Sequence, residues 1–379
     1  MNLPCAPGKV PAVGLYVHIP FCIVRCAYCD FNAYAGMDDL MGPYVDALVD
    51  EIRSGDEDRQ IDTVFFGGGT PTQLPPSELA RILGAIKQRF TLSQDVEITV
   101  EANPETVDES IFEQLLVAGF NRVSIGLQST SEAILKQLGR VHDSRTGLAA
   151  LGAARAAGFK RINADLIFGT PGETGVEWQR SLEDVLATGV DHVSAYALTV
   201  EPSTPLATWI EQGSFPAPDD DLQADRYEAA CEILGLAGFD NYELSNWATD
   251  ESWCRHNLVY WRGDDYLAFG AGAHGHRAGR RWWNVRSPQA YVAKSPDPYD
   301  DHEQLDHDQR VEEAAILGLR LSGGLDRESF AARWGIDPLH RYEAQLREHA
   351  ALVDIDDRTI RINENGRFVG NVLARALMA

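Results

Sequence analysis

The sequence predicts an α/β fold: an open, partial (β/α)6 barrel followed by a small, mainly helical domain of winged-helix type. Three observations predict it. Amphipathic helices, glycine-containing stops and short apolar strands alternate through the first part of the chain. That rhythm weakens after about residue 200. Beyond residue 309, helical stretches and a hairpin pattern close the chain.

The alternation is read first. Leu115 to Phe120 precedes an apolar strand, and so do Ala153 to Phe159, Val185 to Val190 and Ile233 to Phe239. In each, glycine supplies the left-handed residue that ends a helix. Strands are predicted at about Val13–Ile19, Thr63–Phe66, Val96–Glu101, Arg122–Leu127, Ile162–Phe168 and Val193–Leu198, with a further short one at Tyr242–Leu244. Strands alternating with helices of this length make right-handed βαβ units on a parallel sheet. Six such units fall short of the eight that close a barrel, so the barrel is open.

The predicted core spans residues 1–240. Residues 241–294 are crowded with Trp, Tyr and His and read as a connecting region; 295–309 are acidic and Pro-containing and read as a linker. Residues 310–379 form the second domain. Helices are expected over Arg310–Ser322, Asp326–Trp334 and Leu339–Glu348, then a hairpin of Ala351–Ile355 and Thr359–Ile362 across Asp356–Asp357, and a last helix from about Gly366.

Composition narrows the partners. The net charge of −24 disfavours a polyanion, so the winged-helix-like domain is not expected to read nucleic acid. No Lys/Arg cluster would hold the chain to anionic lipid, and no segment approaches the roughly 20 apolar residues that span a bilayer. Met1 to Val13 lack the pattern of a signal peptide, which predicts a cytoplasmic protein without an integral membrane segment.

Six cysteines occur, three of them as Cys22, Cys26 and Cys29 in a C-x3-C-x2-C loop after the first predicted strand. Three thiolates in one loop can each take one iron of a [4Fe–4S] cubane, and the fourth iron then keeps an open position for a ligand. A zinc site completed by His18, or three core thiols, are the alternatives. Cys5, Cys231 and Cys254 have no such spacing and read as inert.

Gly68, Gly69, Thr70, Glu101, Gln128 and Asp165 fall at or just after predicted strand ends, which converge on the ligand-binding face of a parallel barrel. Glycines there let the backbone approach a ligand, and carboxylates suit ribose hydroxyls or an ammonium group. Residues 253–276 hold His256, Tyr260, Trp261, Tyr266, His274 and His276. A haem site needs a donor such as His and an aromatic enclosure. An ordinary aromatic core with satisfied histidines has the same composition.

The stretches Tyr16-Val-His-Ile-Pro-Phe-Cys22, Phe66-Gly-Gly-Gly-Thr70-Pro-Thr72, Glu101-Ala-Asn-Pro, Ser124-Ile-Gly-Leu-Gln128, Leu138-Gly-Arg140 and Asn163-Ala-Asp165-Leu-Ile-Phe-Gly-Thr-Pro resemble, in order, the radical S-adenosylmethionine (SAM) superfamily with its TIM-like barrel. Within it they are similar to the oxygen-independent coproporphyrinogen III oxidase family. The resemblance implies a [4Fe–4S] cluster on Cys22, Cys26 and Cys29 whose free iron chelates SAM. By matching position, Gly68, Gly69 and Thr70 would meet the methionine end of the cofactor. Glu101, Gln128, Arg140 and Asp165 would hold its other polar groups, and Tyr16 and Tyr28 would line the site.

His256-Asn257-Leu-Val-Tyr260-Trp261 resembles the His-Asn-x-x-Tyr-Trp motif of the haem chaperones in that family, which makes His256, Tyr260 and Trp261 the haem candidates and His274 and His276 second choices. Phe31 stands where the oxidases carry a further cysteine, and the first strand begins without their N-terminal extension. The implied function is a haem chaperone with haem as cargo and respiratory haemoproteins as acceptors, without oxidase activity of its own. Peripheral membrane contact and a dimer are compatible with the resemblance. The alternative is a coproporphyrinogen III dehydrogenase, which decarboxylates its substrate to protoporphyrinogen IX. A third reading is a zinc-stabilised barrel for protein contacts.

Overall fold

The computed structural model describes residues 13–250 and 252–378; Cys5 lies outside them. Six parallel strands form the centre: β1 (Val13–Ile19), β2 (Ile61–Gly68), β3 (Leu92–Ala102), β4 (Arg122–Gln128), β5 (Arg161–Phe168) and β6 (His192–Ala197). Then follow β7 (Asp240–Glu243), β8 (Asn246–Ala248), β9 (Asp265–Phe269), β10 (His274–Arg277), β11 (Arg280–Asn284) and β12 (Tyr299–Gln304). All twelve share one open sheet, ordered β12-β11-β10-β9-β1-β2-β3-β4-β5-β6-β8-β7.

Helices α1 (Met41–Ser54), α2 (Pro76–Arg89), α3 (Glu109–Ala118), α4 (Ser144–Ala157), α5 (Gly175–Ala187) and α6 (Asp220–Leu236) cover its outer face. The predicted stops end α3 and α4 at Gly119 (φ 112°) and Gly158 (φ 110°), a conformation glycine adopts without strain. Leu15, Val17, Val64, Phe66, Val100, Val123, Ile125, Ala164 and Val193 point out from the sheet into one core with these helices. Each such side chain except Ala164 contributes about 1.5–3 kcal/mol on burial. Because strand side chains alternate, the residues between them face the barrel interior. That face is polar: Thr63, Glu97, Thr99, Glu101, Arg122, Ser124, Asn163, Asp165, His192 and Ser194.

Three expectations for the middle of the chain need correction. The strand after Phe239 exists, but β7 turns back within two residues to β8, which runs antiparallel to β6. Residues 241–294 do not merely connect: they add β8–β11 to the main sheet, and β9 is a seventh parallel strand on the far side of β1. The acidic 295–309 segment is not a free linker, since its residues 299–304 form β12, paired antiparallel to β11. Its charges lie on an exposed edge, where they discourage pairing with another chain.

The C-terminal domain has its own core, built on Val311, Ala315, Leu325, Phe330, Trp334, Leu346, Val353, Ile360 and Leu373. It contains α7 (His307–Gly318), α8 (Arg327–Trp334), a broken helical stretch over residues 338–348, a hairpin of Val353–Ile355 and Thr359–Ile362, and α9 (Gly370–Leu377). It docks on the sheet through Arg333, which donates to Asp264 (2.9 Å) and to the carbonyls of Arg262 and Gly263 (2.8 and 2.7 Å).

Candidate functional site

The cysteine loop leaves the end of β1 and is pinned from below. Gly69 N donates to Ile19 O and Thr70 N to Phe21 O, both at 2.8 Å. A Cβ on Gly69 would stand 2.7 Å from Phe21 O and 3.0 Å from Cys22 Sγ, so only glycine lets the two loops approach this closely. Cys22 Sγ lies 3.5 Å from Thr70 Oγ1, and Cys26 Sγ accepts from Arg140 Nη1 at 3.3 Å. All three thiols are half-buried, and burial pushes the Cys22 thiol up to about 11. Iron would take the place of those protons.

Zinc completed by His18 is not supported. His18 Nε2 bonds Asn32 O (2.9 Å), and a carbonyl only accepts, so Nε2 carries the hydrogen and Nδ1 accepts from Tyr16 OH (3.0 Å). Both nitrogens are thus committed. Among the described residues, no three His, Cys, Asp or Glu side chains converge as for a single ion. Three thiols around one mouth, with an arginine and a threonine hydroxyl beside them, are a donor set that fits a cluster.

The strand-end residues come together behind the loop. Glu101 Oε2 accepts from Gly68 N (3.2 Å); burial, and then the Asp165 charge, lift its carboxyl to about 8. Asp165, raised by burial, accepts from Ser124 Oγ (2.9 Å) and Asn163 Nδ2 (2.8 Å). Arg140 reaches Gly126 O (2.9 Å) and Asn103 Oδ1 (2.7 Å), while Asn103 Nδ2 donates to Thr70 Oγ1 (2.8 Å). Gln128, at φ 71°, holds its amide above Gly126, where an added Cβ would lie 3.0 Å from Nε2. Tyr28 packs with Ile134, Leu138, Ile167 and Leu206, and Tyr16 stacks on Phe65 at 6.3 Å. The structure therefore gathers Gly68, Gly69, Thr70, Glu101, Gln128, Arg140 and Asp165 around one opening, with Tyr16 and Tyr28 on its walls.

Two residues not singled out from the sequence matter here, one at the opening and one at the floor beneath it. Asn103, within the quoted Glu101-Ala-Asn-Pro stretch, joins Arg140 to Thr70. Arg122 is 2% exposed and has no side-chain hydrogen bond among the described residues, although Glu97 and Asp165 lie close enough to act on its charge. A lone arginine beginning a strand carries no signal in the sequence.

The haem candidates are placed otherwise than expected. They lie on the short helix Arg255–Trp261, which crosses the barrel floor beneath β1 and β2. His256 is 1% exposed; its Nδ1 bonds Thr63 Oγ1 (2.8 Å), its Nε2 bonds Tyr260 OH (2.9 Å), and burial lowers the ring to about 3. Glu97 Oε1 accepts from its backbone N–H at 3.0 Å. Both nitrogens are occupied, so His256 offers iron no donor in this arrangement. Trp261 packs with Tyr242, Trp253 and Leu321 under the Arg320 guanidinium (4.3 Å). Tyr260 also lines a cavity, with Tyr266 and Trp334.

The radical SAM superfamily pattern matches residues 16–185 and the HemN C-terminal domain pattern residues 305–369. A protein named heme chaperone HemW from Mycobacterium tuberculosis is 39% identical, covering 98% of this chain and 97% of that protein. A namesake from Bacillus subtilis is 33% identical over 96% and 98%. The chain belongs to the HemW family. Coproporphyrinogen III oxidase from Escherichia coli, a solved structure, superposes with a TM-score of 0.82 at 24% identity, covering 97% of this chain and 90% of that one; it shares the fold. The stretch matched by the radical SAM pattern contains both the cysteine loop and the strand-end residues.

Proposed function

We infer that this protein is a haem chaperone: it carries a [4Fe–4S] cluster with SAM, binds haem as cargo and passes it to acceptor haemoproteins, respiratory ones first. The likeness to HemW proteins along almost the whole chain carries this reading. Phe31 agrees with it, being 66% exposed on the cysteine loop where the oxidases have a further cysteine.

When bound, the cluster supplies an electron and an open iron site to SAM. The chain's own residues do the rest. Cys22, Cys26 and Cys29 would ligate, while Arg140 and Thr70 hold two of these thiols in place. Glu101 and Asp165 offer acceptor oxygens to an ammonium and to ribose hydroxyls. Tyr16 and Tyr28 keep the site narrow, and the Arg255–Trp261 helix excludes water from below.

Anaerobically reconstituted protein tests the reading in two assays. Stoichiometric haem binding, followed by transfer to an apo-haemoprotein, is expected. Formation of protoporphyrinogen IX from coproporphyrinogen III at catalytic turnover would overturn it in favour of the dehydrogenase. Iron and sulfide analysis of the same sample, expected near four of each per chain, excludes the zinc barrel.

A further inference from the structure

We propose that haem sits on the concave face of the β10–β11 edge, with His274 Nε2 on its iron and its propionate edge in the cleft under the C-terminal domain. This rests on the haem-carrier reading.

The first argument is which imidazole is free. His142 bonds Glu105 Oε2 and Leu127 O (3.2 and 3.1 Å), and His192 bonds Asn163 Oδ1 and Tyr242 OH (2.6 and 2.8 Å). His276 meets Asp264 O (3.3 Å) through Nδ1 and accepts from Gly279 N (3.2 Å) at Nε2. His18 and His256 are committed as described. On the concave face of the barrel and the strands after it, His274 differs; His302 on β12 also has a single bonded nitrogen, but it lies across from Trp282 on the opposite face. His274 Nδ1 lies 3.0 Å from Gly272 O, while its Nε2 has no partner among the described residues and the residue is exposed.

A carbonyl can only accept, so Nδ1 carries the hydrogen and Nε2 presents a lone pair outward. This is the arrangement of a metal-binding histidine oriented from behind. Trp283, directly across on β11, stacks on the ring at 5.7 Å and 28° and holds it. Asn32 Nδ2 ties the preceding turn to the cysteine loop through Ala271 O and Arg286 O, both at 3.0 Å. His274 therefore stands at the mouth that bears the cysteines and Phe31.

The second argument is what lies further along the same face. Two residues on, about 7 Å along the strand, His276 pairs with Arg281. There a cavity of about 230 Å3 opens, lined among others by Tyr260, Tyr266, Arg281, Arg310 and Trp334. Pockets that swallow whole ligands are roughly 300–1,000 Å3, so this one takes an edge. Arg281 is paired with Glu303 and Glu313, but Arg310 has no side-chain hydrogen bond or ion pair among the described residues. Its guanidinium lies 5.3 Å from the Trp334 ring centroid, and its Nε is buried without a partner. An unpaired guanidinium beside aromatic walls suits a carboxylate on a flat apolar body. The separation of His274 from the cleft is of the order of a porphyrin's radius. Coordination needs only a lone pair from Nε2 to the ferric iron, with no redox step.

Optical titration of the full chain with ferric haem and with haem dimethyl ester tests this. His274→Ala, an exposed substitution, should weaken haem binding tenfold or more and shift the Soret band, and added imidazole should restore the band. Arg310→Gln should weaken haem about tenfold, as the loss of one charge-assisted hydrogen bond does, yet leave the diester unaffected; Arg310→Lys should retain most of the affinity. A wild-type spectrum and affinity in His274→Ala would overturn the ligand, and unchanged haem affinity in Arg310→Gln would overturn the cleft. Failure of the wild-type chain to bind haem would instead overturn the carrier reading itself.

Discussion

Gly69 and Glu101 show how single residues shape the proposed cofactor site. A methyl at Gly69 would press into Phe21 O and Cys22 Sγ, so Gly69→Ala should displace the cysteine loop at a cost of about 1–3 kcal/mol. The expected outcome is a fold retained by circular dichroism with iron per chain reduced by half or more. Glu101 is lifted to about 8 by burial and then by the Asp165 charge, which favours its neutral form at neutral pH. The sign follows: its contribution to stability is present below the ordinary carboxylate range and is lost as pH rises through about 8. An ammonium ligand prefers the ionised form, so SAM affinity should rise with pH up to that point. Equilibrium binding between pH 6 and 9 checks this, with Glu101→Gln expected to flatten the profile. The carboxylate itself was readable from its place at a strand end. Its ionisation was not, because that depends on burial and on Asp165 two strands away.

At the scale of elements, the six central strands were legible because each carries an apolar run, and β4, β5 and β6 also follow a glycine stop; both signals are local. β9 and β12 were not. β9 is short and follows a seven-residue helix instead of a full crossover helix, and β12 is written in charged residues that fit an exposed edge as well as they fit a loop. The Arg255–Trp261 helix was read as a ligand-bearing segment, because a motif names residue types and not the direction in which they point. In the fold it is a plug. His256→Ala should leave the hydroxyls of Thr63 and Tyr260 without their shared partner and open a cavity, together worth about 2–4 kcal/mol. A melting temperature lower by several degrees is the expected readout, with the haem Soret position retained by the fraction that stays folded.

Over the whole molecule, a twelve-stranded open sheet and a separately cored C-terminal domain are joined by polar contacts that include Arg320 to Glu243 and Arg333 to Asp264. Asp264 is buried and lifted to about 6, with Arg333 opposing that rise. Removing the arginine leaves a buried carboxylate unpaired, a change that costs about 3–5 kcal/mol in such settings. Arg333→Ala should therefore speed proteolysis between the sheet and the C-terminal domain, and adding Asp264→Asn should restore much of the wild-type resistance.

The plug also has a consequence for traffic. With His256 and its helix packed into the floor, the described residues close the barrel interior from below, and the proposed SAM, reductant and cargo would share the side that carries the cysteines. Haem held by His274 would lie across that approach. On the proposed reading, loading would become a queue, with SAM entering before haem settles and exchanging only after haem departs. The order of exchange would be set by a helix that meets the cargo only through Tyr260 at the cleft.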